Sequence, residues 1–324
     1  MSLLGRIVER NQAEDQRRLA ERLAYFAGKV PARGPRPLDS EHNQPKWPKN
    51  CEIPEVSAQK LNDNALRSAM ASRGCLIVRG YLDPTTISEY RAIIDIAMEA
   101  GAETLSSQSN RDVVENVFQN PPLNLSDLLP EPKLKRSRSF HREGGSTMCV
   151  ESASVSEQLL EFFEVVGIKE LVTRYLGEPP CLSALKWVLR RPKVPTRADG
   201  WHQDGAFMGS GINSLNMWIP VSPCGGHSGA PSMDIVPKRL THIVGASDND
   251  AVFDWSVGKQ SLDQLLLDTE IVTPAFEPGD AFFFDHFLLH RTQYAEQFST
   301  LRYAIETWFF GERNFPANQL PLRW

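Results

Sequence analysis

The second half of the chain consists of short strand-like segments separated by glycine and proline, and this pattern constrains the fold most. Each segment is a short apolar run or alternates apolar with polar residues, as expected of strands that pack one face on a core. Many short strands, with turn signals between them and few long helices, are typical of a β-barrel or jelly roll. The predicted strands are residues 181–190, 215–221, 232–236, 269–276, 281–285 and 301–310.

The first half has a different pattern, in which longer amphipathic segments predict helices. Asp83 is a suitable N-cap with Pro84 in the first helical position, and Gly101 is expected to end that helix. A short buried strand is predicted at residues 75–78, and residues 102–150 are polar and predicted to be rich in loops. The predicted helices are residues 2–29 (one helix or a pair), 57–73, 84–100 and 155–176.

These patterns predict a helical arm, an extended segment and one large domain. Residues 1–54 are the arm, whose part from 30 to 54 is rich in proline and is expected to wrap over the surface. Residues 55–324 form the single domain, and all candidate metal ligands lie between 181 and 310. The arm is also a candidate for contacts in a homodimer.

Composition excludes several classes of protein. The 324 residues have a formal net charge of −5, which provides no overall attraction to nucleic acid. No apolar run is long enough for a transmembrane helix. The five cysteines are scattered and contain no C-x-x-C pair, which argues against disulfides and a zinc ribbon. We therefore expect a reduced, soluble, cytoplasmic protein.

Two histidines and one aspartate are the candidate metal ligands. His202 and Asp204 stand two positions apart, so a strand would point both to one face. His290 follows 86 residues after Asp204, behind a strongly apolar strand. Two imidazoles and one carboxylate leave open coordination positions, as in non-haem Fe(II) oxygenases. The alternative is a structural hydrogen bond or turn at 202–204. Other histidines that compete with His290 are His227, His242 and His286.

Arg302 is the candidate anion-binding residue. It lies in an alternating segment that predicts a half-buried strand, and a buried guanidinium needs an anion. A bound carboxylate ligand suits its two parallel donors. The alternative is a salt bridge to Glu306 or another acid. Thr292 lies two residues beyond His290 and is expected to face the same side, where its hydroxyl would add a hydrogen bond.

Several motifs, in this order and spacing, resemble the phytanoyl-CoA dioxygenase family of Fe(II)/2-oxoglutarate-dependent oxygenases. The resemblance covers about residues 66–310. One departure is residues 236–239, Val-Pro-Lys-Arg, where the family often has Pro-Gly-Ser-His. The matching motifs are GCLIVRGYLDP from Gly74, WHQDG from Trp201, LNMWIPV from Leu215, PGDAF from Pro278, HRT from His290 and LRY from Leu301.

The resemblance implies a mostly β fold, with a double-stranded β-helix (a jelly-roll, cupin-like core) and N-terminal helices packed around it. It also implies hydroxylation of a small molecule by Fe(II), 2-oxoglutarate and O₂, with release of succinate and CO₂. Iron would be held by His202, Asp204 and His290. Arg302 and Thr292 would hold 2-oxoglutarate. The residues implied to line the same cavity are Asn216 and Trp218.

Several points stay open in the sequence. The same cofactors support desaturation or ring closure, and the triad also suits a zinc enzyme or a cupin-like metal-binding protein. The residue that contacts the near-metal carboxylate of 2-oxoglutarate is not assigned, because either face of strand 182–191 fits. The basic segment 133–142 is either a solvated loop or a mobile lid that meets an anionic or carrier-bound substrate.

Overall fold

The computed structural model describes the chain in segments. Most of the proline-rich stretch 30–54, much of 102–130, and the predicted helix end at Gly101 lie outside the described residues. The described residues are 2–32, 47, 53–100, 117–118, 131–192, 194, 200–209, 211–245, 250–251, 253–316 and 318–324.

The helices lie mainly in the first half of the chain, and we number the described ones in chain order. They are α1 (Leu3–Val8), α2 (Gln12–Ala24), α3 (Asp63–Arg73), α4 (Pro84–Ala100), α5 (Glu131–Glu143), α6 (Ala153–Val165), α7 (Ile168–Leu176), α8 (Gly205–Met208) and α9 (Lys259–Leu265).

The strands are short, and most lie in the second half. They are β1 (Glu55–Ser57), β2 (Cys75–Arg79), β3 (Ser146–Met148), β4 (Pro180–Ser183), β5 (Val188–Arg190), β6 (Ser214–Pro220), β7 (Met233–Ile235), β8 (Ala281–Phe284), β9 (His290–Thr292), β10 (Ala304–Gly311) and β11 (Pro321–Arg323).

The strands form a nine-stranded sheet and a two-stranded sheet. The order in the larger sheet is β1-β2-β8-β6-β10-β4-β11, with β5 paired to β10 and β3 paired to β5. Only the β1–β2 pair within the described sheets is parallel. Strands β7 and β9 form the smaller sheet. The fold is therefore a mixed arrangement of helices around a sheet core, with more helix than the predicted mostly β fold.

Alternation along the central strands separates the helix-packed face of the large sheet from the opposite face. On β6, Leu215, Met217 and Ile219 join the large apolar cluster that includes helices α3, α4, α6 and α7. Asn216 and Trp218 point to the opposite face, where they pair across the sheet with Trp308 and Glu306 of β10. The opposite face thus carries polar groups between buried aromatic rings.

The structure corrects several predicted boundaries. The helix predicted at 57–73 begins only at Asp63, after strand β1 and a 3-10 turn. The helix predicted at 155–176 is two helices, because Gly167 adopts a left-handed conformation (φ 80°) between them. Segment 181–190 is two strands, and 269–276 forms only isolated bridges at Val272 and Phe276. The loop-rich stretch 102–150 contains α5 and β3.

The N-terminal helices pack on the body of the same chain. Arg22 of α2 donates two hydrogen bonds to the Glu157 carboxylate of α6, at 2.7 and 3.0 Å. The side chain of Glu157 is 1% exposed. No described helix is both long and apolar enough to cross a membrane.

Replacing Arg22 with methionine is expected to destabilise this packing. The change leaves the buried Glu157 carboxylate without a cation. We expect the free energy of unfolding to fall by roughly 2–4 kcal/mol, which is low for a buried ion pair because Arg22 is partly exposed. Urea denaturation of the purified protein measures it. The matched control is Arg17→Met in the same helix. Arg17 is exposed and its two partners, Glu14 and Glu21, are accessible to solvent, so the change should stay below about 1 kcal/mol. Equal losses in the two variants would contradict the interpretation.

Candidate metal centre

Main-chain hydrogen bonds hold the two candidate histidine ligands together. The N–H of His202 donates to the carbonyl of His290 at 3.0 Å, and the N–H of His290 donates back at 3.0 Å. Residues paired in this way place their side chains on the same face. The two imidazole ring centroids lie 4.5 Å apart. The backbone therefore brings the two residues together across 88 positions of sequence.

Asp204 reaches the same point by a different route from the one predicted. It does not continue a strand from His202, because it has helical backbone angles (φ −60°, ψ −24°) and immediately precedes the short helix α8. Its Oδ1 lies 3.7 Å from His202 Nε2. The ligand atoms of His202, Asp204 and His290 all lie within 4.8 Å of one another. The predicted cluster forms, although the strand argument for it was wrong.

Both imidazoles are arranged with Nε2 available as an electron-pair donor. Nδ1 of His202 is 2.7 Å from the carbonyl of Gly200, and Nδ1 of His290 is 3.1 Å from the carbonyl of Leu288. A carbonyl only accepts, so each Nδ1 carries the proton and donates it. Burial lowers the pKa of His202, and it lowers the pKa of His290 to about 4. Both rings are therefore neutral near pH 7, as metal ligation requires.

Asp204 is a buried carboxyl group next to a second acid. Burial raises its pKa to about 8, and the negative charge of Glu306 contributes in the same direction. The amide of Asn216 donates a hydrogen bond to Asp204 Oδ2 and so fixes the orientation of the carboxyl group. A divalent cation among the three ligands would favour the ionised form, because opposite charge stabilises a carboxylate.

Arg302 is a buried cation with no carboxylate partner among the described residues. It is 1% exposed. Its guanidinium donates to the carbonyl of Ser232 at 2.8 Å and to Oγ1 of Thr292 at 3.2 Å, and it lies 5.4 Å from the ring centroid of Trp218. Its Nε has no partner in the described part of the protein. Burial lowers the Arg302 pKa to about 10. This environment favours a bound anion.

The alternative salt bridge between Arg302 and Glu306 does not form. Glu306 instead pairs with Arg190 of β5, whose cation lowers the Glu306 pKa to about 2 against the effect of burial. Arg302 also lies just before β10 and not within it. The pairing of β5 with β10 settles the register that the sequence left open. Val188 lies opposite Glu306 and Arg190 forms the ion pair with the Glu306 carboxylate, so both are on the same face of the sheet as Glu306.

The competing histidines stay outside the cluster of ligand atoms. His227 and His242 are exposed, and Nδ1 of His286 contacts Oγ of Ser214 at 3.1 Å. In residues 236–239, where the sequence differs from the Pro-Gly-Ser-His motif of the family it resembles, Arg239 forms an ion pair with Asp285.

Sequence reasoning left Lys186 and Arg190 open and missed Trp255. Arg190 belongs to β5, Lys186 lies in the bend before it, and both are on the face that the sequence offered as one of two alternatives. Trp255 stands 5.5 Å from the ring of His202, centroid to centroid. The segment around it has no strand or helix pattern, so no periodicity pointed to it. The basic segment 133–142 is part of α5, and not a loop. There, Arg138 pairs with Glu151, while Nε2 of the buried His141 contacts the carbonyl of Leu185.

Comparisons with known proteins return only distant similarities. No protein-family model and no curated protein matches the sequence. One similar solved structure is SnoN, a non-heme alpha ketoglutarate dependent epimerase from nogalamycin biosynthesis. The two are 13% identical, with 77% of this chain and 83% of that chain covered and a TM-score of 0.46.

Two further solved structures give similar values. SnoK, a non-heme alpha ketoglutarate dependent carbocyclase from the same biosynthesis, is 15% identical, with 79% and 87% covered and a TM-score of 0.46. SnoN in complex with Fe3+, alpha ketoglutarate and nogalamycin RO is 14% identical, with 77% and 84% covered and a TM-score of 0.47. At these values the comparisons carry no conclusion about activity.

Proposed function

We propose that the protein is an Fe(II)- and 2-oxoglutarate-dependent oxygenase that hydroxylates a small organic molecule. The observation that carries the proposal is the pairing of two features. One is the open triad of His202, Asp204 and His290, whose ligand atoms lie within 4.8 Å of one another. The other is Arg302, a buried cation without a carboxylate partner among the described residues. The first suits non-haem iron, and the second suits a dicarboxylate co-substrate.

The buried polar atoms of the site fit these groups. Nε of Arg302, Oδ1 of Asn216 and Nε1 of Trp218 are buried and have no hydrogen-bond partner among the described residues. Such atoms are costly unless a ligand or water satisfies them. In the proposed complex, Arg302 and Thr292 hold the distal carboxylate of 2-oxoglutarate, and Trp218 packs beside it. Asn216 keeps Asp204 oriented toward the metal.

When bound, iron and 2-oxoglutarate would supply the oxidising chemistry. One O₂ is consumed, the keto acid is decarboxylated to succinate and CO₂, and one oxygen atom enters a C–H bond of the substrate. The residues of the chain supply position and environment. Nδ1 of each histidine is held by a carbonyl, so that Nε2 presents its lone pair. The rings of Phe207 and Trp255 pack beside His202, at 6.1 and 5.5 Å between centroids.

We propose further that the two sheets are the halves of a double-stranded β-helix of the phytanoyl-CoA dioxygenase type. The main-chain bridge between His202 and His290 supports this arrangement, because it connects the α8 region to strand β9 of the smaller sheet. Arg302 supports it as well, since it contacts Thr292 of β9 and stands immediately before β10 of the larger sheet.

Anaerobic visible absorption tests the proposed cofactor chemistry. Titration of the apoprotein with Fe(II) and then 2-oxoglutarate is expected to produce a metal-to-ligand charge-transfer band that requires both. The band should vanish in His290→Ala and persist in His227→Ala, a control that removes an exposed histidine outside the cluster. Absence of the band in folded wild-type protein, or its persistence in His290→Ala, would refute the proposal. Oxygen consumption is a second readout, because a zinc enzyme or a metal-binding protein without oxygenase activity would consume no oxygen.

A further inference from the structure

Lys186 lies in the bend that precedes β5, and its side chain directs an ammonium group toward the candidate centre. Its Nζ lies 4.8 Å from the ring centroid of Phe207, 5.0 Å from that of Trp308 and 4.9 Å from that of Phe140. The half-buried side chain has no ion pair or side-chain hydrogen bond with any residue that the structure describes. This cation is held among three rings, on the side of the sheet from which Asn216 contacts Asp204. It is therefore positioned to bind an anionic ligand.

The neighbouring acids do not balance this charge once a metal is present. Glu306 is already paired with Arg190. The charge of Asp204 is committed to the metal, to which it would be a ligand. Lys186 is then the cation of this group that lacks a partner. Nε1 of Trp308, also buried, has no hydrogen-bond acceptor among the described residues. An anionic acceptor beside Trp308 would satisfy both groups.

Aromatic rings extend from Lys186 to the metal ligand His202. The ring of Phe207 lies 5.6 Å from that of Trp255 and 6.1 Å from that of His202. Phe253 stacks on Trp255 at 4.7 Å with an angle of 3° between the planes. All these side chains except His202 are carried by loops or short helices, and each is half-buried. Flat rings that remain partly exposed beside a reactive centre suit a flat ligand.

We propose that Lys186, Phe207 and Trp255 form the substrate site, and that the substrate is a ring-bearing organic anion. The ring system lies on Phe207 and Trp255 beside His202, and its acidic group pairs with Lys186. This inference specifies the substrate class of the function proposed above and rests on it. Lys186 is then a specificity-determining residue, because it selects for the acidic group without taking part in the oxidation.

Two probes that differ only in charge test the inference. They are 2-naphthoate and 2-naphthamide, which share the same ring system. Anaerobic calorimetric or fluorescence titration of the Fe(II)-loaded full chain, with saturating succinate to cover Arg302, measures binding without turnover. We expect wild type to bind naphthoate at least roughly tenfold more tightly than naphthamide, a difference of about 1.4 kcal/mol, because only naphthoate offers a charged acceptor to the ammonium.

Variants separate the contribution of charge from that of the rings. Lys186→Met should reduce the preference for naphthoate to about one, while Lys186→Arg restores it. Trp255→Leu should lower the affinity for both probes by about threefold to tenfold and leave the ratio of the two affinities unchanged. The matched control is Lys169→Met. The ammonium of Lys169 also lies near a ring, 5.7 Å from Trp324, but it pairs with Glu164 away from the centre.

The outcomes distinguish this inference from the proposed function. Equal affinity of wild type for the two probes, absence of saturable binding, or an unchanged preference in a folded Lys186→Met variant would overturn it. A raised 2-oxoglutarate requirement in Lys186→Met, with the naphthoate preference intact, would also overturn it and assign this cation to the co-substrate. Because the titration requires no turnover, its result does not depend on the charge-transfer band that tests the cofactors.

Discussion

Replacing Asp204 with alanine is expected to abolish succinate formation from 2-oxoglutarate. The carboxylate is the one anionic ligand of the triad, and its loss leaves two neutral imidazoles to hold a dication. The loss of iron affinity should exceed the roughly 10- to 100-fold change typical when an outer hydrogen-bond partner of a ligand is removed. Iron content after gel filtration and succinate release under air measure the two effects.

A graded series makes this test specific. Asn216→Ala removes the amide that donates to Asp204 Oδ2, so it should produce the smaller loss of roughly 10- to 100-fold. His227→Ala should change nothing. Asp204→Ala should not destabilise the apoprotein strongly, because burial raises the pKa of this carboxyl to about 8 and its charged form is poorly solvated. Turnover at the wild-type rate in folded Asp204→Ala would contradict the proposal that Asp204 is an iron ligand.

The second large effect is expected for Arg302→Met. The guanidinium is fully buried and is proposed to pair with the distal carboxylate of 2-oxoglutarate. Its loss should weaken the binding of 2-oxoglutarate by roughly 2–5 kcal/mol, which corresponds to a loss of affinity of more than about 30-fold. Iron binding should persist, because Arg302 contributes no ligand atom. Titration of the charge-transfer band with 2-oxoglutarate measures the affinity, and iron content measures the metal.

The unfolding stability of this variant provides an independent test. Methionine removes the guanidinium that donates to the Thr292 hydroxyl and to the Ser232 carbonyl, although that carbonyl still accepts from the N–H of Gln293 at 2.9 Å. It also removes a buried charge that no described carboxylate balances. These effects oppose each other, so the apoprotein should change by less than about 2 kcal/mol. Arg291→Met is the matched control for 2-oxoglutarate affinity. Arg291 already pairs with Asp234 at 2.8 Å and is not proposed to hold the co-substrate. An unchanged 2-oxoglutarate affinity in Arg302→Met would contradict the assigned role.

The sequence predicted most of the strands that surround the centre, and the reason is local. The short, mainly apolar runs at residues 215–221 and 281–285 reflect strands that are buried on both faces, and β6 and β8 appear there within one residue. Helix α4 begins at Pro84 for an equally local reason, since Asp83 accepts a hydrogen bond from the N–H of Thr86 at 2.6 Å. These elements depend on neighbours in sequence.

Other parts of the site depend on tertiary contacts that no sequence window contains. The approach of His202 to His290 is a main-chain pairing across two distant segments, and spacing alone could not show it. The conformation of Asp204 was mispredicted, because a two-residue spacing does not distinguish a strand from a turn that enters a helix. The face that carries Lys186 was left open because the register of the neighbouring strand β5 is fixed by its pairing with β10, which lies more than a hundred residues away.

The bridge between His202 and His290 separates the position of these two residues from their identity. Main-chain hydrogen bonds do not depend on which side chain a residue carries, so the Cβ atoms at 202 and 290 should keep their separation when the histidines are exchanged. Glutamate, cysteine or a non-natural donor placed there would start from the same two anchor points. The scaffold is therefore suited to exploring metal preference by changing ligand chemistry alone, with the attachment geometry held constant.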